Sequence, residues 1–189
     1  EDSQGSPTTT LVGAAHLLSI YLRLEGLRMA RILWIDDNQS TTELVGDVLE
    51  RLGHQVTAYA SAPPNDVPLS SYDLVVVDLY LGAASEMSSG RLVFGADELV
   101  RLLRRDRKFR RAVRHGETKC LLLSQHLTEY GLRERLRRFT GNNDVRSFLR
   151  SKDQDREKYP DRSSAIASVI DGVLNEKPGA RLEDEIDRL

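Results

Sequence analysis

The stretch ILWIDDNQS, residues 32–40, sets two adjacent carboxylates, Asp36 and Asp37, where an apolar run stops. Like charges side by side repel, by about 1 kcal/mol at ~4 Å in water and several-fold more where water is scarce. A bound cation is the natural compensation. The run before the pair, ARILWI (30–35), is the first of five short apolar runs, followed by HQVTAYA (54–60), DLVVVDL (73–79), KCLLLS (119–124) and VRSFLR (145–150). Helical patterns separate them, and that alternation predicts a parallel sheet wrapped by helices. Three of the runs are apolar enough to be buried on both faces, as central parallel strands are.

The first helix is signalled by a capping box, Ser40 with Glu43. Leu44, Val45, Val48, Leu49 and Leu52 then form its apolar face, and Gly53 is placed to end it. Between the second and third strands, SAPPNDVPLSSY carries three prolines, so the second helix is expected to be reduced or replaced by a loop. Leu99, Leu102 and Leu103 mark a third helix, Leu132 and Leu136 a fourth, and Ile166, Val169, Ile170, Val173 and Leu174 a fifth.

With 189 residues the chain has room for one domain with a full core, expected over 29–176. Residues 1–28 read as an N-terminal extension, either helical or a vector-derived leader, and 177–189 as a polar tail without packed structure. The apolar part of the extension, 11–27, contains His16, Arg23 and Glu25 and is too short and interrupted to span a bilayer. The single cysteine, Cys120, excludes a disulfide framework within the chain and fits a buried reduced thiol in a cytoplasmic protein. A net charge of −2 favours no class of partner by itself. The four histidines show no ligand spacing and are expected at the surface, with His126 near the strand ends.

In an open parallel α/β sheet, ligands bind at the carboxyl ends of the strands. The first strand delivers Asp36 and Asp37 there, the third Asp78, the fourth Ser124, and Lys152 lies just past the fifth. Three carboxylates, a hydroxyl and an ammonium thus converge on one rim. Oxygen ligands of this kind favour a hard cation such as Mg²⁺.

In that order, these residues resemble the receiver domains of bacterial two-component response regulators, over roughly residues 30–175. The resemblance implies a flavodoxin-like, doubly wound five-stranded parallel sheet of order 2-1-3-4-5. It implies a phosphorelay signal-transduction role: Asp78 is the phosphorylation site, with Mg²⁺ held by Asp36, Asp37, Asp78 and the backbone carbonyl of Tyr80. Ser124 and Lys152 would bind the phosphoryl oxygens and act as the switch. The partner is a histidine kinase or phosphotransfer protein, a homodimer is open, and the chain is a phosphoprotein rather than an enzyme.

The chain departs from the family at several places. The loop after Asp78 is long and lacks the usual proline, reaching the glycine that opens the next helix only at Gly95; it could act as a lid or slow access. Asp153 stands where a proline commonly follows the lysine. Leu149 occupies the place of the switch aromatic, with Phe148 one residue early and on the opposite side of the strand. The segment RRDRKFRRAVRHGETK reads as an insertion. Its arginines, Arg104, Arg107 and Arg111, together with Arg137 from RERLRRF, offer a basic interaction surface. The alternative reading is therefore an interaction module decoupled from phosphorylation, working through this face. Nucleic acid is disfavoured as a partner because neither a pattern of interleaved aromatics nor a recognised DNA-binding motif supports it. A hydrolase of the haloacid-dehalogenase type is also disfavoured, since adjacent aspartates replace its Asp-x-Asp spacing.

Overall fold

The computed structural model describes residues 29–82, 93–125, 127–128, 131–140, 146–154, 156–177 and 181–188. The expectations for residues 1–28, for most of the long loop and for His126 lie outside them.

Five parallel strands form the sheet: β1 (Arg31–Ile35), β2 (Gln55–Tyr59), β3 (Leu74–Asp78), β6 (Lys119–Ser124) and β7 (Phe148–Ser151). A separate antiparallel pair, β4 (Tyr80–Leu81) and β5 (Val93–Phe94), frames the loop after Asp78. The sheet order is β2-β1-β3-β6-β7. With the small pair set aside, that is the flavodoxin-like order 2-1-3-4-5 expected from the sequence. The last strand starts three residues later than predicted.

Alternation along the central strands divides the core into two layers. Ile32, Trp34, Leu74, Val76, Leu121 and Leu123 face helices α1 (Gln39–Arg51) and α5 (Arg162–Asn175). Leu33, Ile35, Val75, Val77 and Leu122 face the other side. That side is covered by α2 (Gly95–Arg105), α3 (Arg107–His115), α4 (Leu132–Thr140) and α6 (Leu182–Asp187).

Several local expectations are corrected. Asn38, not Ser40, caps α1: its side-chain oxygen accepts from the Thr41 N–H (3.1 Å), and Glu43 instead takes the Gln39 amide (2.7 Å). Leu44 and Leu52 are exposed, so the buried face of α1 is carried by Val45 and Leu49. Gly53 does end the helix, at φ 89°, where the His54 N–H returns to the Leu49 carbonyl at 3.0 Å.

The missing second helix is indeed reduced, to one 3-10 turn, Leu69–Ser71. The segment read as an insertion is a helix of its own, α3, capped by Asp106, whose carboxylate accepts from the Lys108 and Phe109 N–H groups. Its Phe109 and Val113 are buried in the same cluster as Leu69 and Tyr72, covering the sheet beside that short turn.

The tail is packed, contrary to expectation. Leu182 and Ile186, four residues apart, are buried against α4 and β7, and Glu185 bonds Arg150 (2.5 Å) and Arg188 (2.6 Å). His54 is likewise buried rather than at the surface. Its Nδ1 accepts from the Ala30 N–H and its Nε2 lies 3.0 Å from the Asp171 carboxylate. Cys120 is buried and free, and burial pushes its thiol up. No described helix is long and apolar enough to cross a membrane.

Candidate functional site

The carboxyl ends of β1, β3, β6 and β7 bring the predicted residues together. Asp36 is fixed twice: its N–H donates to the Tyr59 carbonyl (3.0 Å) and its Oδ1 accepts from the Asn38 N–H (2.9 Å). That turn aims Oδ2 into the rim. Asp37 Oδ2 accepts from the Gly82 N–H at 3.3 Å, linking the first strand to the chain just past β4. Asp78 ends β3, whose next residue, Leu79, donates its N–H to the Leu123 carbonyl (2.8 Å).

Gly95, at the start of α2, explains why no larger residue stands there. A Cβ on it would lie 1.9 Å from the Asp78 carbonyl oxygen, so only glycine lets the helix begin against the strand end. Tyr80 lies in β4 with its ring edge-on to Phe94 (centroids 5.9 Å), and the pair closes through the Gly95 N–H on the Leu79 carbonyl (2.9 Å).

Lys152 lacks the proline yet is well aimed. Its N–H donates to the Ser124 carbonyl (2.7 Å), while the Asp153 N–H donates to Ser151 Oγ (3.1 Å) and the Asp153 carboxylate meets Arg162 (3.2 Å). The Nζ reaches Asp36 Oδ2 at 2.7 Å and Asp78 Oδ1 at 3.0 Å. Ser124 is fully buried at the end of β6, paired with Ser151 of β7.

One carboxylate oxygen from each of Asp36, Asp37 and Asp78 lies within 4.8 Å of the others. Burial pushes the Asp78 carboxyl up to about 6; Lys152 opposes the shift, and Asp36 and Asp37 add to it. Burial works against the Lys152 charge, but Asp78 and Asp36 outweigh it and raise its pKa. Three carboxylates face one ammonium, leaving two negative charges on a largely buried oxygen set. That donor set fits a hard divalent cation.

Two further residues shape the site and were not foreseen. Arg135 of α4 lies over both rings of the Tyr80–Phe94 pair, 5.8 and 4.9 Å from their centroids, tying α4 to the strands flanking the loop. Ser151 supplies the turn that replaces the proline. The first signal was present in the sequence as two aromatics bracketing the loop; the second was hidden in an ordinary serine. Phe148 packs with Trp34 in one layer and Leu149 in the other, as the strand alternation predicted.

The basic surface is only partly as expected. Arg104, Arg107 and Arg111 are exposed, but Arg137 is paired with Asp187 of α6 at 2.6 Å.

No family model matches the sequence, and no curated protein does. Solved structures similar to this chain include a chemotaxis protein and several response regulators. One is the chemotaxis protein CheY4 of Vibrio cholerae, 16% identical, TM-score 0.47, with 77% of this chain and 99% of that chain covered. A response regulator from Thermotoga maritima is 17% identical, TM-score 0.45, covering 79% and 100%. The Mn²⁺-bound form of response regulator Rcp1 is 12% identical, TM-score 0.48, covering 80% and 99%.

Proposed function

We propose that this chain is a phospho-receiver. Asp78 takes a phosphoryl group from the phosphohistidine of a histidine kinase or phosphotransfer protein, and the modified form signals through the partner it binds. The observation that carries the reading is the cluster at the strand ends: three carboxylate oxygens within 4.8 Å, with the Lys152 ammonium bridging Asp36 and Asp78.

In the transfer, an Asp78 oxygen attacks phosphorus as the P–N bond breaks; the electron pair stays with the departing imidazole and an acyl phosphate forms. With its carboxyl at about 6, Asp78 is ionised at neutral pH and able to attack. Asp36, Asp37, Asp78 and the Tyr80 carbonyl would hold Mg²⁺, which when bound neutralises charge on the transferring oxygens. Lys152 exchanges a carboxylate partner for a phosphoryl oxygen, and the Ser124 hydroxyl donates to another. A cytoplasmic setting fits such a kinase partner.

A second reading, a module decoupled from phosphorylation, is favoured by one observation: Leu149 fills the place of the switch aromatic and is buried in the layer of α2 to α4. Trp34 separates the two. It is fully buried two residues before the acidic pair, so its emission reports the site. Under the receiver reading, Mg²⁺ and then beryllofluoride each change that emission, and Asp78→Asn abolishes the second response. Intact mass after incubation with a small phosphodonor should show one added phosphoryl group, lost in the same variant. A Mg²⁺ response with no mimic response and no added mass would sink the receiver reading and leave the module.

A further inference from the structure

We propose that the face formed by α3 and the end of α2 binds the phosphate backbone of duplex nucleic acid without reading its sequence. Helix α3 buries Phe109, Ala112 and Val113, a spacing that turns Arg107, Lys108, Arg110, Arg111 and Arg114 together into solvent. With His115 they line one shallow depression made of no other residues. Arg104 extends the face onto α2.

Among the described residues, no hydrogen bond or ion pair holds any of these six lysine and arginine side chains. The acid between them, Asp106, is consumed as the cap of α3. Arg107 with Arg111 and Arg110 with Arg114 are like-charge pairs four apart, each costing a few tenths of a kcal/mol, so the helix carries a repulsion that an anionic partner relieves.

The kind of partner follows from what accompanies the charge. Protein interfaces, though rich in arginine, are built round desolvated aromatic and apolar anchors. Among the described residues the exposed large apolar side chains are Leu44 and Leu52, both belonging to α1 or its cap and not to this face. Single-stranded nucleic acid is held by stacking on exposed aromatics, and this face offers none. Charge without anchors or stacking platforms suits phosphates fixed on a duplex. The lack of interleaved aromatics, which disfavoured nucleic acid in the sequence, argues against single strands alone.

Fluorescence anisotropy of the full chain with labelled duplexes of about 20 base pairs tests this. Two unrelated sequences should bind equally. With about five phosphates neutralised, the affinity should fall roughly 500-fold between 50 and 200 mM salt. The double variant Arg107→Glu, Arg111→Glu, with melting and Mg²⁺ response unchanged, should bind much more weakly at 50 mM salt, with a salt slope flatter by about two. Lack of duplex binding at 50 mM salt, equal binding by the charge-reversed variant, tighter binding of a single strand, or preference for polyglutamate over duplex would each overturn the proposal.

Discussion

Replacing Asp78 with asparagine should stabilise the metal-free fold at neutral pH, although it removes the residue on which the proposed chemistry depends. The Asp78 carboxyl is pushed from 3.8 to about 6, mainly by burial, with Asp36 and Asp37 adding to the effect and Lys152 opposing it. Keeping it ionised therefore costs roughly 3 kcal/mol, since a tenfold change in a proton-binding constant corresponds to about 1.4 kcal/mol. Asparagine is close in shape to the protonated acid and avoids that cost. Because the folded pKa lies above the unfolded one, the wild-type protein gains stability as pH falls from about 6 toward 3.8, whereas the variant has no such gain. The gap in favour of the variant is thus full at pH 7.5 and closes through that window. For a chain of this size it corresponds to an upper bound of roughly 6–12 °C in melting temperature. Thermal melts of both proteins in chelator, from pH 4 to 8, measure it, with other carboxylates cancelling in the difference. Mg²⁺ should narrow the gap by stabilising the wild type more, because its third carboxylate contributes a charge the amide lacks. A variant no more stable than wild type at pH 7.5 in chelator, or a gap constant across the window, would refute the electrostatic account of the site.

Lys152→Ala leaves Asp36 buried without its counter-ion and should cost about 3–5 kcal/mol by urea denaturation, with Asp36→Asn in the same chain recovering part of the loss. Gly95→Ala drives a Cβ into the Asp78 carbonyl, so a loss of more than about 2 kcal/mol is expected, together with a weakened beryllofluoride response in the Trp34 emission. Leu182→Ala removes a side chain buried under α4 and should cost about 2–5 kcal/mol in the same assay; a change under about 0.5 would mean that α6 contributes nothing to the core.

The strand ends were legible because each buried strand announces itself by an unbroken apolar run, and the residue after the run must then sit at the rim. That logic found Asp36, Asp37, Asp78 and Ser124 without any knowledge of contacts. It shifted at β7, where Ser147 and Arg146 belong to the approach and Phe148 starts the strand. It also failed where apolar content was sparse. Helix α3 buries only Phe109, Ala112 and Val113 behind its cationic surface, so the charge masked the period. Helix α6 has two apolar anchors among acids, too few to signal packing, and only the Glu185–Arg150 pair and the neighbouring α4 make its burial intelligible. The Asn38 cap was missed because Ser40 and Glu43 satisfy a local rule equally well. The choice was decided by Asp36, whose carboxylate holds the Asn38 N–H and so starts the helix earlier.

The departures from the receiver pattern fall on two different functions. Aiming Lys152 needs only a fixed backbone at the end of β7. The Lys152 N–H on Ser124, the Asp153 N–H on Ser151 and the Asp153–Arg162 pair supply that with ordinary residues, so the missing proline leaves the ammonium on both carboxylates. The aromatic position is different, because Leu149 is buried in the α2–α4 layer and cannot exchange between a buried and an exposed ring position. The aromatic contacts near the site lie instead at Tyr80 and Phe94, on the strands that leave Asp78 and return to Gly95, and Arg135 joins them to α4. A change at Asp78 therefore has a short path to α4, along its own following strand and across the Arg135 ring contacts, whereas the path through β7 ends in a leucine.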